Sequence, residues 1–282
     1  MTFVSYEGYE PPHLSHSTFD SYRSCGMKMA LQKVYRVEQR PGWSSIGGSA
    51  LHSCIETIEE YELADVDADA LFEDCFKHHT EEAAKRSPSY TPDQYHVAGR
   101  GKKTASWWLE EGPRMVHRWL DWRKATGWTL WTTPAGTPAI EVELNFTLNG
   151  PDGEIPVKGF IDSVWRLPSG QLIPLDVKSG RKPDEPIQLG LYKVGMQKVF
   201  GEDVAWGYFW DANKGDHGQP VSLDLYTEDY LAVEYAKAVR GINAGVFIAR
   251  PNMNCADWCS SAAFCPAVGG ARVSEVFPSR NT

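Results

Sequence analysis

The sequence predicts an α/β protein in which a mixed β-sheet is flanked by helices and follows a long helical segment. Two observations predict this class. Apolar residues recur near helical spacing through the first part of the chain. Alternating apolar and polar residues, typical of half-buried strands, begin at residue 139. We expect one domain over residues 1–282, with a mainly helical part at 1–135, a core at 136–245 and a cysteine-rich tail at 246–282.

The helical part is predicted to contain four helices. The first follows a serine-rich start, for which Ser17 is the candidate N-cap. The predicted helices span residues 14–33, 46–63, 67–85 and 102–125. The last helix is rich in tryptophan, including Trp108, Trp119 and Trp122 near helical spacing. Core packing explains these tryptophans better than stacking on nucleic-acid bases, although basic residues lie among them.

The second half is predicted to alternate strands, turns and helices. Glycine-containing turns fall at residues 149–153 and 168–170. The predicted strands span 139–148, 155–167, 171–178, 204–211 and 221–226, and the predicted helices span 185–200 and 227–244. Thr227 is the expected N-cap of the last helix, and Gly245 follows its end.

Composition and charge restrict the classes of protein to consider. The chain of 282 residues is 42% hydrophobic and 23% charged, which is ordinary for a globular protein. Its net charge of −9 argues against a protein that coats nucleic acid by bulk attraction, but allows a local basic groove. No apolar run is long enough to span a bilayer, and the first residues do not resemble a secretion signal. We therefore expect a cytoplasmic protein, or one in the host-cell cytoplasm if a phage encodes it.

Three short segments predict the chemistry. Asp162 lies on one predicted strand, Asp176 and Lys178 lie two residues apart on the next, and Gln188 and Tyr192 open the following helix. Residues i and i+2 of a strand share a face, so the aspartate and the lysine point the same way. A surface ion pair is the alternative explanation, but the apolar neighbours of Asp176 indicate a buried strand, where charges need a partner or a purpose. Two carboxylates that hold a divalent cation beside a lysine suit a metal-dependent phosphodiesterase.

Other candidate ligands are less determined by the sequence. His52 lies on a predicted helix, where a lone histidine is usually structural, and Glu56 lies one turn later on the same face. Glu141 and Glu143 share one side of the first long strand. Either glutamate is placed to reach the site, and both are equally consistent with a solvent-facing position.

Taken together, these motifs resemble the PD-(D/E)xK nuclease superfamily, and most closely its RecB-like branch, which includes CRISPR-associated exonucleases. The resemblance rests on four motifs: Gly48-x-Ala50-x-His52, Gly159-x-x-Asp162, Asp176-x-Lys178 and Gln188-x-x-x-Tyr192. It implies a restriction-endonuclease-like fold. One departure is that Ile161, not proline, precedes Asp162.

The same resemblance implies the roles of the site residues. His52, Asp162, Asp176 and the backbone carbonyl of Val177 would bind Mg²⁺ or Mn²⁺, and Lys178 would be catalytic. Gln188 and Tyr192 would lie at the site, with Gln188 contacting the substrate phosphate or the attacking water.

Four of the six cysteines extend the resemblance. Cys25 stands near the N-terminus, and Cys255, Cys259 and Cys265 cluster near the C-terminus. This arrangement resembles the iron–sulfur staple of the same branch, which implies a [4Fe–4S] cluster that joins the chain ends. The spacing C-x₃-C-x₅-C departs from the usual C-x₂-C of the family. Zinc on the same four thiolates is the alternative.

The function expected from these residues is a metal-dependent DNA exonuclease, a hydrolase that acts on single-stranded DNA or strand ends. Recombination, repair and phage replication are the settings considered. The expected partner is DNA, with a helicase or recombination protein possible because the chain has no nucleotide-binding motif of the P-loop type. The alternatives are a catalytically inactive nucleic-acid-binding protein of this fold and a redox iron–sulfur protein. A restriction-type endonuclease has less support, because nothing indicates a separate sequence-reading domain.

Overall fold

The computed structural model describes residues 4–278 and shows a mixed six-stranded sheet with helices packed on both faces. The helices are α1 (His16–Ser24), α2 (Gly26–Met29), α3 (Trp43–Glu60), α4 (Ala68–Arg86), α5 (Ala98–Gly101), α6 (Ala105–Thr126), α7 (Ile187–Phe200), α8 (Glu228–Asn243) and α9 (Cys255–Trp258). A short π-helical turn, Ala30–Val34, continues α2. No helix formed by residues 4–278 has both the length and the apolar character that a bilayer crossing requires.

Strands β2 to β6 overlap the five predicted strands, but β6 stops at Ser222, four residues short of the prediction, and β1 was not predicted. They are β1 (Thr129–Leu130), β2 (Ile140–Gly150), β3 (Gly153–Arg166), β4 (Leu172–Lys178), β5 (Trp206–Asp211) and β6 (Val221–Ser222). The sheet order is β1-β3-β4-β5-β6, and β2 pairs with β3 along most of its length. Within this sheet, β4 and β5 pair in parallel, and α7 forms the crossover between them. The fold class is therefore confirmed at the level of a mixed α/β protein.

Two hydrophobic cores lie on opposite faces of the sheet. One packs the sheet against α1, α7 and α8, and the other packs it against α3, α4 and α6. Phe209 and Trp210 on β5 show the division, because neighbouring strand residues point to opposite faces and these two belong to different cores. Trp108, Trp119 and Trp122 are buried in the second core, as the core-packing prediction required.

The predicted first helix differs most from the structure. It begins at His16 and not two residues earlier, and the side chain of Ser15, not Ser17, accepts the capping hydrogen bond from the Thr18 amide. The helix also stops at Cys25, whose extended backbone separates α1 from α2. The Ser17 cap was wrong because Ser15 and Ser17 are both good N-caps, and their intrinsic preferences cannot distinguish them.

Candidate active site

Neighbouring strands place the two predicted aspartates side by side. The antiparallel register of β3 and β4 pairs Ser163 with Leu175, so Asp162 lies opposite Asp176. The Val177 amide donates a hydrogen bond of 2.7 Å to Oδ2 of Asp162, which fixes that carboxylate against β4. The Asp176 side chain is only 1% exposed. The Asp176 carboxylate is therefore buried within β4, as the apolar residues next to it in the sequence predicted.

A third carboxylate and a histidine complete a candidate metal centre around Asp162. By the register of β2 and β3, Glu141 lies opposite Asp162. Nδ1 of His52, on α3, lies 3.5 Å from Oδ2 of Asp162. One ligand atom from each of His52, Glu141 and Asp162 lies within 4.8 Å of the others. Two carboxylates and an imidazole at this separation are a suitable donor set for a divalent cation.

Glu141 has an unusual backbone conformation. Its φ is 45°, in the left-handed region that non-glycine residues rarely adopt. A residue held in this region costs of the order of 1–3 kcal/mol, and such strain collects at functional sites. By contrast, Glu143 pairs with Lys158 at 3.0 Å and its side chain is half exposed. The structure thus resolves the alternative that the sequence left open, since only Glu141 reaches the site.

The Asp176-x-Lys178 motif on β4 is contacted by the first turns of α7. Nζ of Lys178 lies 2.5 Å from Oδ2 of Asp176, as an ion pair without aligned hydrogen-bond geometry. The same ammonium donates to Oε1 of Gln188 at 3.1 Å. Nε2 of Gln188 donates to the hydroxyl of Tyr192 at 2.7 Å, and this hydroxyl donates to Oδ1 of Asp176 at 3.2 Å. Gln188 and Tyr192 reach the strand together because residues i and i+4 share one helix face.

Burial raises the pKa values of the carboxyl groups at the site. Desolvation and the neighbouring charge of Asp162 raise the pKa of Asp176 to about 6, against the opposing effect of Lys178. Desolvation also raises the pKa of Asp162 and that of Glu141. A cation bound between these three carboxyl groups would favour their charged forms, and it would thereby offset the cost of ionising them in a buried position.

His16 belongs to the site and was not predicted from the sequence. It is the first residue of α1, and Asp176 and Lys178 are close enough to influence its titration. Burial lowers its pKa to about 4, so the ring is neutral at pH 7. Its Nδ1 atom is buried without a hydrogen-bond partner among the described residues. No motif spacing points to His16, because α1 is more than a hundred residues from the strands that it meets.

The structure brings most of the predicted site residues together, but the group of three side chains that could hold a metal ion differs from the predicted set. His52 and Asp162 belong to the group, Glu141 completes it, and Asp176 is engaged by Lys178 and Tyr192 instead. Asp176 as a metal ligand therefore stays a prediction, as does the Val177 carbonyl.

The predicted iron–sulfur cluster is not confirmed by the arrangement of thiols. Among the described residues, no three cysteine sulfurs lie within 4.8 Å of one another. The four cysteines nonetheless line one small cavity of about 20 Å³. They are Cys25, Cys255, Cys259 and Cys265. Cys54 and Cys75 do not line this cavity, and Cys54 donates a weak hydrogen bond to the Leu71 carbonyl.

The chain matches one protein family, and it is similar in sequence to two phage proteins of comparable length. The Gene 69 protein of Mycobacterium phage D29 is 27% identical over 265 residues, which cover 90% of this chain and 97% of that protein. The Gene 69 protein of Mycobacterium phage L5 is 24% identical over 284 residues, covering 90% and 96%. The crystal structure of SSO0001 aligns with 86% of this chain and 94% of that one, at 13% identity. Its TM-score of 0.33 is too low to support an argument.

The family is identified by a match over most of the chain. The sequence pattern of the PD-(D/E)XK nuclease superfamily matches residues 13–266, a span that contains every side chain of the site described above. The carboxylates of β2, β3 and β4 and the lysine of β4 thus lie in the part of the chain that the pattern covers. The chain therefore belongs to the PD-(D/E)XK nuclease superfamily.

Proposed function

We propose that this protein is a Mg²⁺- or Mn²⁺-dependent exodeoxyribonuclease that acts on single-stranded DNA or strand ends. One observation carries the proposal: His52, Glu141 and Asp162 converge within 4.8 Å, beside the Asp176–Lys178 pair. A cation held by this donor set would lie next to an ammonium group on a buried strand. This is the arrangement that phosphodiester hydrolysis needs, because charge develops on the phosphate oxygens in the transition state.

The metal would be held chiefly by Asp162, Glu141 and His52, with Asp176 as the expected further ligand. Oxygen ligands dominate this set, and Mg²⁺ and Mn²⁺ prefer them. When bound, such a cation neutralises charge on the scissile phosphate and lowers the pKa of a water. The Val177 amide holds Asp162 in orientation, and Tyr192 holds Asp176.

Lys178 is the residue that we assign to the chemical step. Gln188 and Asp176 fix its ammonium at the edge of the site, and its side chain remains 24% exposed. From there it donates a hydrogen bond to the attacking water or to a phosphate oxygen. The attacking water loses a proton to solvent as its oxygen forms a new bond to phosphorus. The P–O ester bond breaks, and the leaving oxygen takes the bonding electron pair and a proton from solvent. No covalent enzyme intermediate is involved.

We also propose that Cys25, Cys255, Cys259 and Cys265 hold a [4Fe–4S] cluster. Their lining of one cavity supports a shared ligand. A tetrahedral zinc site with Zn–S bonds near 2.3 Å would bring all four sulfurs to within about 3.8 Å. The wider spacing of the thiols suits a cluster better, because each thiolate then binds a different iron. The role is structural, since the cluster would tie the tail to the start of α2.

Digestion of end-labelled DNA tests the proposed reaction. We expect the wild-type protein to shorten single strands with Mg²⁺ or Mn²⁺ and to be inactive with a chelator. Lys178→Ala should lower the rate by about 10²-fold or more, the range for removing one hydrogen-bond donor to charge that develops in the transition state. Lys214→Ala is the control, because Lys214 is 70% exposed on the loop after β5. Full activity of Lys178→Ala, or no cleavage by the wild type with any divalent metal, would contradict the assignment.

A further inference from the structure

A groove with a volume of about 780 Å³ runs along the N-terminal half of α3. Helices α3 and α4 form its walls, together with the segment after α2 and the cysteine-containing tail. We call it the basic groove and define it by six of its lining residues: Lys28, Arg36, Arg40, Arg86, His96 and Trp258.

The charge of the basic groove contrasts with that of the whole chain, which is −9. Four cationic side chains line the groove, and among the described residues none has a carboxylate within 4.0 Å. Its one acidic lining residue, Glu38, is already paired with Arg272 at 3.3 Å and accepts from the Ser89 amide at 2.7 Å. Uncompensated positive charge in a groove of an acidic protein favours a polyanionic ligand.

The tail contributes an exposed aromatic ring to this groove. Trp258 is 54% exposed, which is unusual for so large an apolar side chain. Its ring lies 5.1 Å from that of His96, and Nε2 of His96 is buried without a partner among the described residues. The backbone of the tail is held in place here, since the Arg40 amide donates to the Ser260 carbonyl at 2.8 Å and the Arg40 guanidinium donates to that of Asp257.

The basic groove leads toward the candidate metal centre along α3. Ser45 and Ser49 line the groove, and His52 follows at the next position on the same helical face. The three-residue step from Ser49 to His52 rises only about 4.5 Å along the helix. His79, another lining residue, is within hydrogen-bond distance of the Ser53 hydroxyl at 2.9 Å. A DNA strand in the groove would therefore lie one helical turn from His52 along α3.

We propose that the basic groove binds single-stranded DNA, with Trp258 stacked on an unpaired base and Arg36 and Arg86 on the phosphates. The inference rests on the proposed function and adds the site that selects its substrate. Positive charge along the backbone with an aromatic platform is the combination that holds single strands without sequence preference. A paired base keeps its faces in the duplex stack, so Trp258 discriminates in favour of unpaired strands.

The proposal also gives the cysteine tail a role in binding. Trp258 lies between Cys255 and Cys259, in the four-residue helix α9. A group bound by these cysteines fixes the position of the indole ring relative to α3.

Equilibrium binding of a fluorescent 15-nucleotide oligo(dT) tests the proposal, with Ca²⁺ in place of Mg²⁺ to suppress cleavage. We expect Trp258→Ala to weaken single-strand binding about tenfold, and Trp258→Phe to weaken it much less. Trp206→Ala is the matched control, because Trp206 is 39% exposed on β5 and does not line the groove. Arg36→Ala and Arg86→Ala should each make the slope of log K against log salt shallower by about 0.7, and Lys85→Ala should not.

Two further arms separate this proposal from the proposed function. The wild type should bind a blunt duplex of the same length more weakly, and Trp258→Ala should leave duplex binding unchanged. Hydrolysis of a p-nitrophenyl phosphodiester of thymidine needs only the metal centre, so Trp258→Ala should retain it. If Trp258→Ala and the wild type bind single strands equally well, the proposed role of the basic groove is wrong, even if the wild type is an active nuclease. Loss of the small-substrate activity in Trp258→Ala would overturn it as well, since the residue would then support the site as a whole.

Discussion

At the scale of single residues, Asp176 imposes a cost on the folded protein. Its pKa is about 6 in the fold, against a usual value of 3.8. Because the folded carboxyl binds its proton more tightly, stability is highest below pH 3.8 and falls as the pH rises to 6. At neutral pH the cost is about 3 kcal/mol, from a difference of about two pKa units.

We therefore expect Asp176→Asn to stabilise the metal-free protein while removing nuclease activity. Asparagine resembles the protonated carboxyl, so the free energy of unfolding should rise by about 3 kcal/mol at pH 8. The gain should shrink as the pH falls from 6 to 4. Urea unfolding with a chelator, measured across this pH range, gives the comparison. Asp184→Asn is the control, because Asp184 is 80% exposed. A pH-independent effect of Asp176→Asn would show that Asp176 titrates normally in the fold.

Some site residues were predictable from the sequence because they lie on regular elements at fixed spacing. Asp176 and Lys178 share a strand face, and Gln188 and Tyr192 share a helix face. Glu141 was not distinguished from Glu143, since alternation places both on one side of the strand. The left-handed backbone conformation of Glu141 breaks that alternation locally. It could not be predicted from the sequence, because glutamate has no preference for this conformation. His16 was missed because tertiary contact alone brings it to the site.

At the scale of elements, the position of α3 decides where His52 lies. Gly47 is buried, and a Cβ atom there would lie 2.0 Å from the indole of Trp108 on α6. A Cβ atom on the adjacent Gly48 would meet only the Ser179 hydroxyl, at 3.1 Å. The close approach of α3 and α6 therefore depends on Gly47. His52, five residues later on α3, depends on it in turn.

We expect Gly47→Ala to lower stability by roughly 1–3 kcal/mol, the usual cost of overpacking a core. The better helix propensity of alanine, worth about 1 kcal/mol, is too small to offset a clash with a fixed indole ring. Gly48→Ala should change stability by less than about 1 kcal/mol, because a serine hydroxyl can rotate away. Thermal and urea unfolding of the two variants provide the measurement. If both variants unfold like the wild type, α3 and α6 are not as tightly packed as described.

Elements were predicted well where the alternation of apolar and polar residues continues over many positions. The ends of β2, β3 and β4 match within two residues, because alternation and glycine turns mark them. The break in the first helix at Cys25 was not predicted, since the residues on both sides favour helix. Its extended backbone places the cysteine in the cavity with Cys255, Cys259 and Cys265. Long-range requirements of this kind override local preference, and a single sequence does not display them.

At the scale of the whole molecule, Cys25 and the cysteine-containing tail meet at one cavity. Cys25 precedes the segment that supplies Lys28 to the basic groove, and the tail supplies Trp258. The proposed cluster would close a loop of more than two hundred residues between Cys25 and Cys255. A cross-link that closes so long a loop stabilises chiefly by reducing the entropy of the unfolded chain, by about 2–4 kcal/mol on the scale of disulfides.

We expect the protein, purified without oxygen, to carry iron and inorganic sulfide, and Cys25→Ser to lose both. The melting temperature should fall by about 5–10 °C, from the loss of the cross-link in a chain of this size. Cys75→Ser is the control, because Cys75 lies on α4 away from the cavity. Metal analysis and thermal unfolding decide the outcome independently of nuclease activity. Zinc in place of iron would refute the cluster but keep the cross-link, whereas a metal-free protein with an unchanged melting temperature would refute both.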